Sequence, residues 1–183
     1  MVKFWNSGFL VLLVSFVLSC QSQKLKFHGA TESERLHQFF EWSFNQLIER
    51  SPVTLGYYGI KKRQFEVDDL SQSYQDETLA MVQEHLKILK SFSRSELSRE
   101  DQLNYDLAKK SLEDRIMAAQ WRDYHYVVNQ MYGAQKTLPV FMMNIHKVET
   151  QKDLDNYLSR LVSFKTFYDQ VINPVSYTHL RAH

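Results

Sequence analysis

Apolar residues recur along most of this chain at intervals of three and four, the spacing that places side chains on one face of an α-helix. After Thr31, residues Leu36, Phe39, Phe40, Phe44, Leu47 and Ile48 keep that period until Ser51-Pro52 ends the run. Thr31 with Glu34 fits a capping box, in which a hydroxyl and a carboxylate satisfy free N–H groups of a first helical turn. A loop containing Gly56 and Gly59 then leads past Lys61-Lys62-Arg63, read as solvated surface, into a polar stretch ending near Gln75. Leu79, Val82, Leu86, Leu89 and Phe92 make the stripe of a second helix running from Asp76 to Phe92. Ser98 and Asp101 open a third, which Tyr105, Ala108, Leu112, Ile116 and Ala119 carry toward Trp121. The segment from Tyr124 to Gly133 is the least helical and predicts extended chain or loop, and Pro139 starts or interrupts a short apolar helix through Phe141, Met142 and Met143. Thr150 and Asp153 cap a last helix, whose Leu154, Tyr157, Leu158, Leu161, Phe164, Tyr168 and Val171 predict one unbroken apolar face.

Composition supports an all-α reading. The 183 residues hold only five glycines and three prolines, whereas average usage gives roughly 22 together in this length. Turn residues are therefore too scarce for a many-stranded sandwich. Hydrophobic residues make up 44% of the chain, enough to bury a core, so the composition is not that of a disordered segment. The formal net charge of +1 lacks the basic excess of a nucleic-acid binder, and nucleic acid is not an expected partner. A single cysteine excludes an intramolecular disulfide and any multi-cysteine metal cluster built from this chain alone.

That cysteine stands at an informative place. Lys3 precedes the apolar run Phe9 to Leu18, and polar residues follow from Ser19. The run has the form of a secretory signal and falls short of the about 20 apolar residues that a membrane-spanning helix needs. Val17-Leu18-Ser19-Cys20 resembles the lipobox of bacterial lipoproteins, which are cut before the cysteine and lipidated on its thiol. The expected organisation is thus a signal peptide over 1–19, a lipidated Cys20 with a flexible tether over 20–32, and a helical domain over 33–173. The membrane is the expected partner through that anchor, and Gln21 is compatible with export to an outer membrane. Residues 174–183 continue neither the helical period nor a cap, and they resemble a translated adapter that is not native to the protein.

Candidate chemistry is sparse. His179 and His183 are spaced to share a helix face as zinc ligands, but Leu180 stands where a zincin places its glutamate base. His37 and Glu41 are four apart on the first helix, close enough to touch a common ion, but the preferred reading is an exposed pair beside the Phe39-Phe40 stripe. His85, His125 and His146 are isolated and read as surface or hydrogen-bonded histidines. Glu100-Asp101 and Glu113-Asp114 fit solvation or favourable placement near helix N-termini. No phosphate-binding glycine loop and no Gly-x-Ser-x-Gly elbow occur. The residues alone therefore assign no catalytic group and no metal ligand.

A series of segments says more than the motifs. Phe40-Glu41-Trp42-Ser43, Ser51-Pro52-Val53-Thr54-Leu55-Gly56, Leu97 through Asp106, and Tyr157-Leu158-Ser159-Arg160-Leu161 followed by Asp169-Gln170 occur in that order over about 34–173. Together they resemble the N-terminal part of a bacterial family catalogued as domain of unknown function 885. The resemblance implies an exported, largely helical protein, often a lipoprotein, belonging to a longer parent with a zincin-like peptidase activity. Zinc and a peptide substrate would then belong to a His-Glu helix downstream, which has no counterpart here, so no catalytic residue carries over. The chain is accordingly expected to be the helical, non-catalytic N-terminal portion of a lipid-anchored envelope protein. The alternative expectation is a complete small helical lipoprotein that binds a partner or serves as a scaffold.

Overall fold

A computed structural model describes residues 27–124, 127–131 and 133–181, with side chains described as far as Ile172. The fold is all-α, with no strand among the described residues. The helices are α1 (Glu32–Ile48), α2 (Pro52–Tyr57), α3 (Gln72–Leu89), α4 (Arg99–Ala119), α5 (Ala134–Asn144), α6 (Gln151–Val162) and α7 (Phe164–Arg181). Short 3₁₀ turns occupy Arg94–Glu96 and Arg122–Tyr124. No described helix is long and apolar enough to cross a membrane. The proposed signal and Cys20 lie outside the described residues.

Caps decide where these helices start. The Thr31 hydroxyl accepts from the Glu34 N–H at 3.1 Å, while the Glu34 carboxylate takes the Ala30 N–H at 2.7 Å. Ser98 accepts from the Asp101 N–H at 3.1 Å, and Thr150 and Asp153 form a complete capping box. Ser71 caps α3 through the Tyr74 N–H, which moves the start of that helix upstream of Asp76 to Gln72. The stretch after Ser51, expected to be loop, is instead the short α2. Ser51 caps it and Pro52 supplies the first-turn φ at a position whose missing N–H costs nothing.

Two apolar clusters form. In the first, Leu36 and Phe39 of α1 meet Leu89 of α3, Leu112 of α4, the edge-on ring of Phe27 and the tilted ring of Phe92. Polar links cross the same interfaces: the Ser43 hydroxyl meets His85 Nδ1 at 2.8 Å, and His37 Nε2 meets Asp101 Oδ1 at 2.6 Å. The second cluster joins Val53 of α2, Leu138, Phe141 and Met142 of α5, and Phe167 and Val171 of α7. Pro139 lies inside α5 rather than at its start. Its ring nitrogen cannot bond the Gln135 carbonyl four residues back, and the Tyr168 hydroxyl of α7 donates to that carbonyl at 3.1 Å. A cost inside one helix thus becomes a contact to another.

The expected single last helix is broken at Ser163 into α6 and α7. Its apolar face divides as well: Val171 is buried and Tyr157, Phe164 and Tyr168 are half-buried, but Leu154, Leu158 and Leu161 are exposed, while Asp153 and Arg160 are buried on α6. α7 runs on to Arg181, through most of the segment expected to leave the helical period.

Gly56 records how closely α2 approaches α5. A Cβ there falls 2.7 Å from Phe141 Cε2, on a ring with no exposed surface. Gly56→Ala gains up to about 1 kcal/mol of helix propensity but overpacks this contact at about 1–3 kcal/mol. A net loss of stability is expected in urea unfolding. An unchanged or raised midpoint shows the two helices to be separable.

The Asp101 carboxyl is held well below the usual carboxylate range, first by His37, then by Ser33, against the cost of burial and with help from Ser98 and Asn104. A depressed carboxylate stabilises the fold above its unfolded value of about 4, and that contribution is lost as pH falls through the lower folded value. Asp101→Asn should therefore flatten the acid limb of stability below about pH 4. An acid limb as steep as that of the unmodified chain contradicts the assignment.

Candidate functional site

The densest polar arrangement lies where α6 meets the α2 turn and the loop between α2 and α3. Arg160 enters this junction fully buried, with 1% of its surface exposed. Its Nε donates to the Glu66 carbonyl at 2.6 Å and its Nη2 to the carbonyls of Pro52 and Arg63, each at 3.4 Å. Nη1 donates to His146 Nδ1 at 2.9 Å, and the guanidinium carbon stands 4.9 Å from the centre of the Phe141 ring. It forms no salt bridge among the described residues. Burial pushes the Arg160 pKa down to about 10, with the charges of Asp68 and Glu66 acting against it, so the group is cationic at neutral pH.

Asp68 completes the junction from the other side. Its carboxylate accepts from the Ser51 hydroxyl at 2.8 Å and from the Val53 N–H at 3.0 Å, tying the loop to the first turn of α2. Burial pushes the Asp68 carboxyl up, and those hydrogen bonds together with Arg160 and Arg63 hold it back. Arg63 adopts a left-handed backbone with φ of 57°, strained for a non-glycine residue. Its side chain grips Glu66 and the Glu49 carbonyl, and its own carbonyl accepts from Arg160. Beside the junction, Glu66, Asp68, Asp69, Ser163, Thr166 and Gln170 border an open cleft of about 260 Å³, below the usual range for ligand pockets. Gln170 closes one edge by accepting from the Leu70 N–H and donating to Asp69.

The basic triplet lies at the surface, with Lys61 and Lys62 exposed as expected, and it carries ion pairs there. Lys61 reaches Glu149 and Asp153 at 3.3 Å, Lys62 pairs with Glu49, and Arg63 pairs with Glu66, so each cation fastens the loop to a carboxylate.

The other residues singled out by sequence do not gather into one site. His37 turns to Asp101 rather than sharing an ion with Glu41, which is exposed. His85 and His146 are buried and hydrogen-bonded; His85 bonds Ser43 and lies tilted against Trp42 at 4.6 Å between ring centres. Glu113 pairs with Lys90 and Asp114 with Lys110. His125 and His183, and the side chain of His179, lie outside the described residues, as does Cys20. No three His, Cys, Asp or Glu side chains among the described residues converge to hold a metal ion.

An all-helical body joined by a buried arginine to main-chain carbonyls defines the structural class. A family model described as "Bacterial protein of unknown function (DUF885)" matches residues 52–178, and the chain belongs to that family. The match holds the whole Arg160, His146 and Asp68 junction, and it begins at Pro52, downstream of α1. No curated protein and no solved structure matches the chain.

Sequence reading passed over Asp68 and gave Arg160 no role, although Arg160 sits in one of the family-like segments. A signal was present: Arg160 lies three residues after Tyr157 and four before Phe164, on the half-buried side of the helix. Arg160→Met removes the donors while keeping much of the volume, and takes from the Pro52, Arg63 and Glu66 carbonyls the hydrogen bonds that the guanidinium gives them. A loss of about 3 kcal/mol is expected in denaturant unfolding. A loss under about 0.5 kcal/mol, the range of surface substitutions, overturns the role given to this side chain.

Proposed function

We propose that this chain is the helical, non-catalytic portion of a lipid-anchored envelope protein whose parent is a zinc-dependent peptidase. In that reading residues 34–173 supply helices that wall a substrate cleft, and the zinc and its base lie elsewhere in the parent. One observation carries it: α6 spends its buried cation on internal main-chain carbonyls and His146, while Leu154, Leu158 and Leu161 of the same helix face outward. Apolar positions at helical spacing fit packing against further protein. Family membership and the lipobox-like segment at Cys20 support the same reading. The outward leucines equally favour the second reading, a small helical lipoprotein that binds a partner or scaffolds the envelope.

The gene separates the two. A reading frame that continues past the codon for Asn173 into a His-Glu helix is expected for the peptidase parent, and a stop codon near position 183 contradicts it. The anchor is tested by fractionating cells that express the unmodified chain and Cys20→Ala. Release of the variant from the membrane fraction is expected, and full retention refutes lipidation at Cys20. The purified chain is expected to carry no stoichiometric zinc, and finding it shows the metal assignment to be wrong.

A further inference from the structure

We propose that His146 and Arg160 form an acid-sensitive latch, in which protonation of His146 releases α6 from the α2 turn and the loop that follows it. The geometry fixes the charge logic. Arginine only donates, so His146 Nδ1 accepts the 2.9 Å bond and the proton of the neutral ring sits on Nε2. His146 is 7% exposed, and its Nε2 is buried with no hydrogen-bond partner among the described residues. A proton arriving on Nδ1 turns the acceptor into a donor facing a donor and places a second positive charge against a buried guanidinium. Arg160 then loses one partner and is repelled, although it alone binds the carbonyls of Pro52, Arg63 and Glu66 at once.

Every side of the latch can be named. Asp153 and Tyr157 face His146 from α6, the tyrosine ring edge-on at 5.2 Å between centres, and Lys61 faces it from the loop. Asp68 and Glu66 face Arg160 from the same loop, and Phe141 of α5 contributes only its ring. Burial and then Arg160 push the His146 pKa down, with a smaller push from Lys61, against the main chain and carboxylate of Asp153. A histidine depressed by folding lends its stability above its unfolded value of about 6.5, and loses it as pH falls through the lower folded value. Depressed carboxylates such as Asp153 act only below about 4, whereas the loss from His146 begins at its unfolded value of about 6.5. The raised Asp68 acts in the opposite sense, since its buried charge is relieved as pH falls.

Amide hydrogen exchange on the full chain from pH 7.5 to 4.5, corrected for the intrinsic pH dependence of exchange, tests the latch. Segments 52–66 and 145–162 are expected to lose protection as pH falls below about 6.5, by up to about tenfold per pH unit, while the α3 and α4 core keeps it. His146→Asn retains an acceptor near Nδ1 without a titrating ring, and in it these segments should stay protected at pH 5. In Asp68→Asn the loss must persist. A pH response equal in the unmodified chain and His146→Asn overturns the latch, as does its disappearance in Asp68→Asn, which moves the switch to the carboxyl. Should His146→Asn not fold, nitrogen chemical shifts of the unmodified chain decide. The latch requires the Nε2–H tautomer at pH 7.5 and titration below 6.5, and the other tautomer or titration at or above that value overturns it.

Discussion

The burial of one guanidinium organises the part of this protein that matches its family. Moving a charged group out of water is costly, and a neighbouring carboxylate commonly offsets that cost. Arg160 meets it instead with three carbonyls, an imidazole nitrogen and an aromatic face. Those carbonyls come from the start of α2 and from two points on the following loop, so a single side chain fixes the path of a segment that has little regular structure. The left-handed Arg63 and the close approach of Gly56 to Phe141 both sit on that path. Each holds because the guanidinium and Asp68 determine the surrounding backbone from opposite sides.

The two apolar clusters solve different problems. The first is a helix-packing core in which α1 lies across α3 and α4, with Ser43 to His85 and His37 to Asp101 setting the register between helices. The second is smaller and draws on short or interrupted helices. There, polar contacts supply what apolar area does not: Tyr168 takes the carbonyl freed by Pro139, Gln170 holds the Leu70 and Asp69 main chain and side chain, and Arg160 closes the far side. A region held by directional polar bonds is the one where a proton can alter the balance.

Much of the fold was legible because caps and apolar periods are local. Thr31, Ser98 and Thr150 marked helix starts where the structure has them, and the low glycine and proline content pointed to helices throughout. α2 was missed because Gly56 and the neighbouring Gly59 look like loop residues, although Gly56 is there to let a helix touch Phe141. The leucines of α6 repeat at helical spacing and so predict one apolar face continuous with α7, yet tertiary packing buries the side bearing Asp153 and Arg160. The polar junction itself was illegible for a simpler reason. The partners of Arg160 are chiefly main-chain carbonyls, which every residue carries and which no motif advertises.

The central claim is that Arg160 acts through His146 and the carbonyls it gathers, rather than as an independent surface charge. A double-mutant cycle between Arg160→Met and His146→Phe, followed by urea unfolding at pH 8, measures that directly. The account predicts a coupling of about 1 kcal/mol or more, since each single change already abolishes the shared bond. Strict additivity, with coupling within about 0.3 kcal/mol of zero, would contradict it.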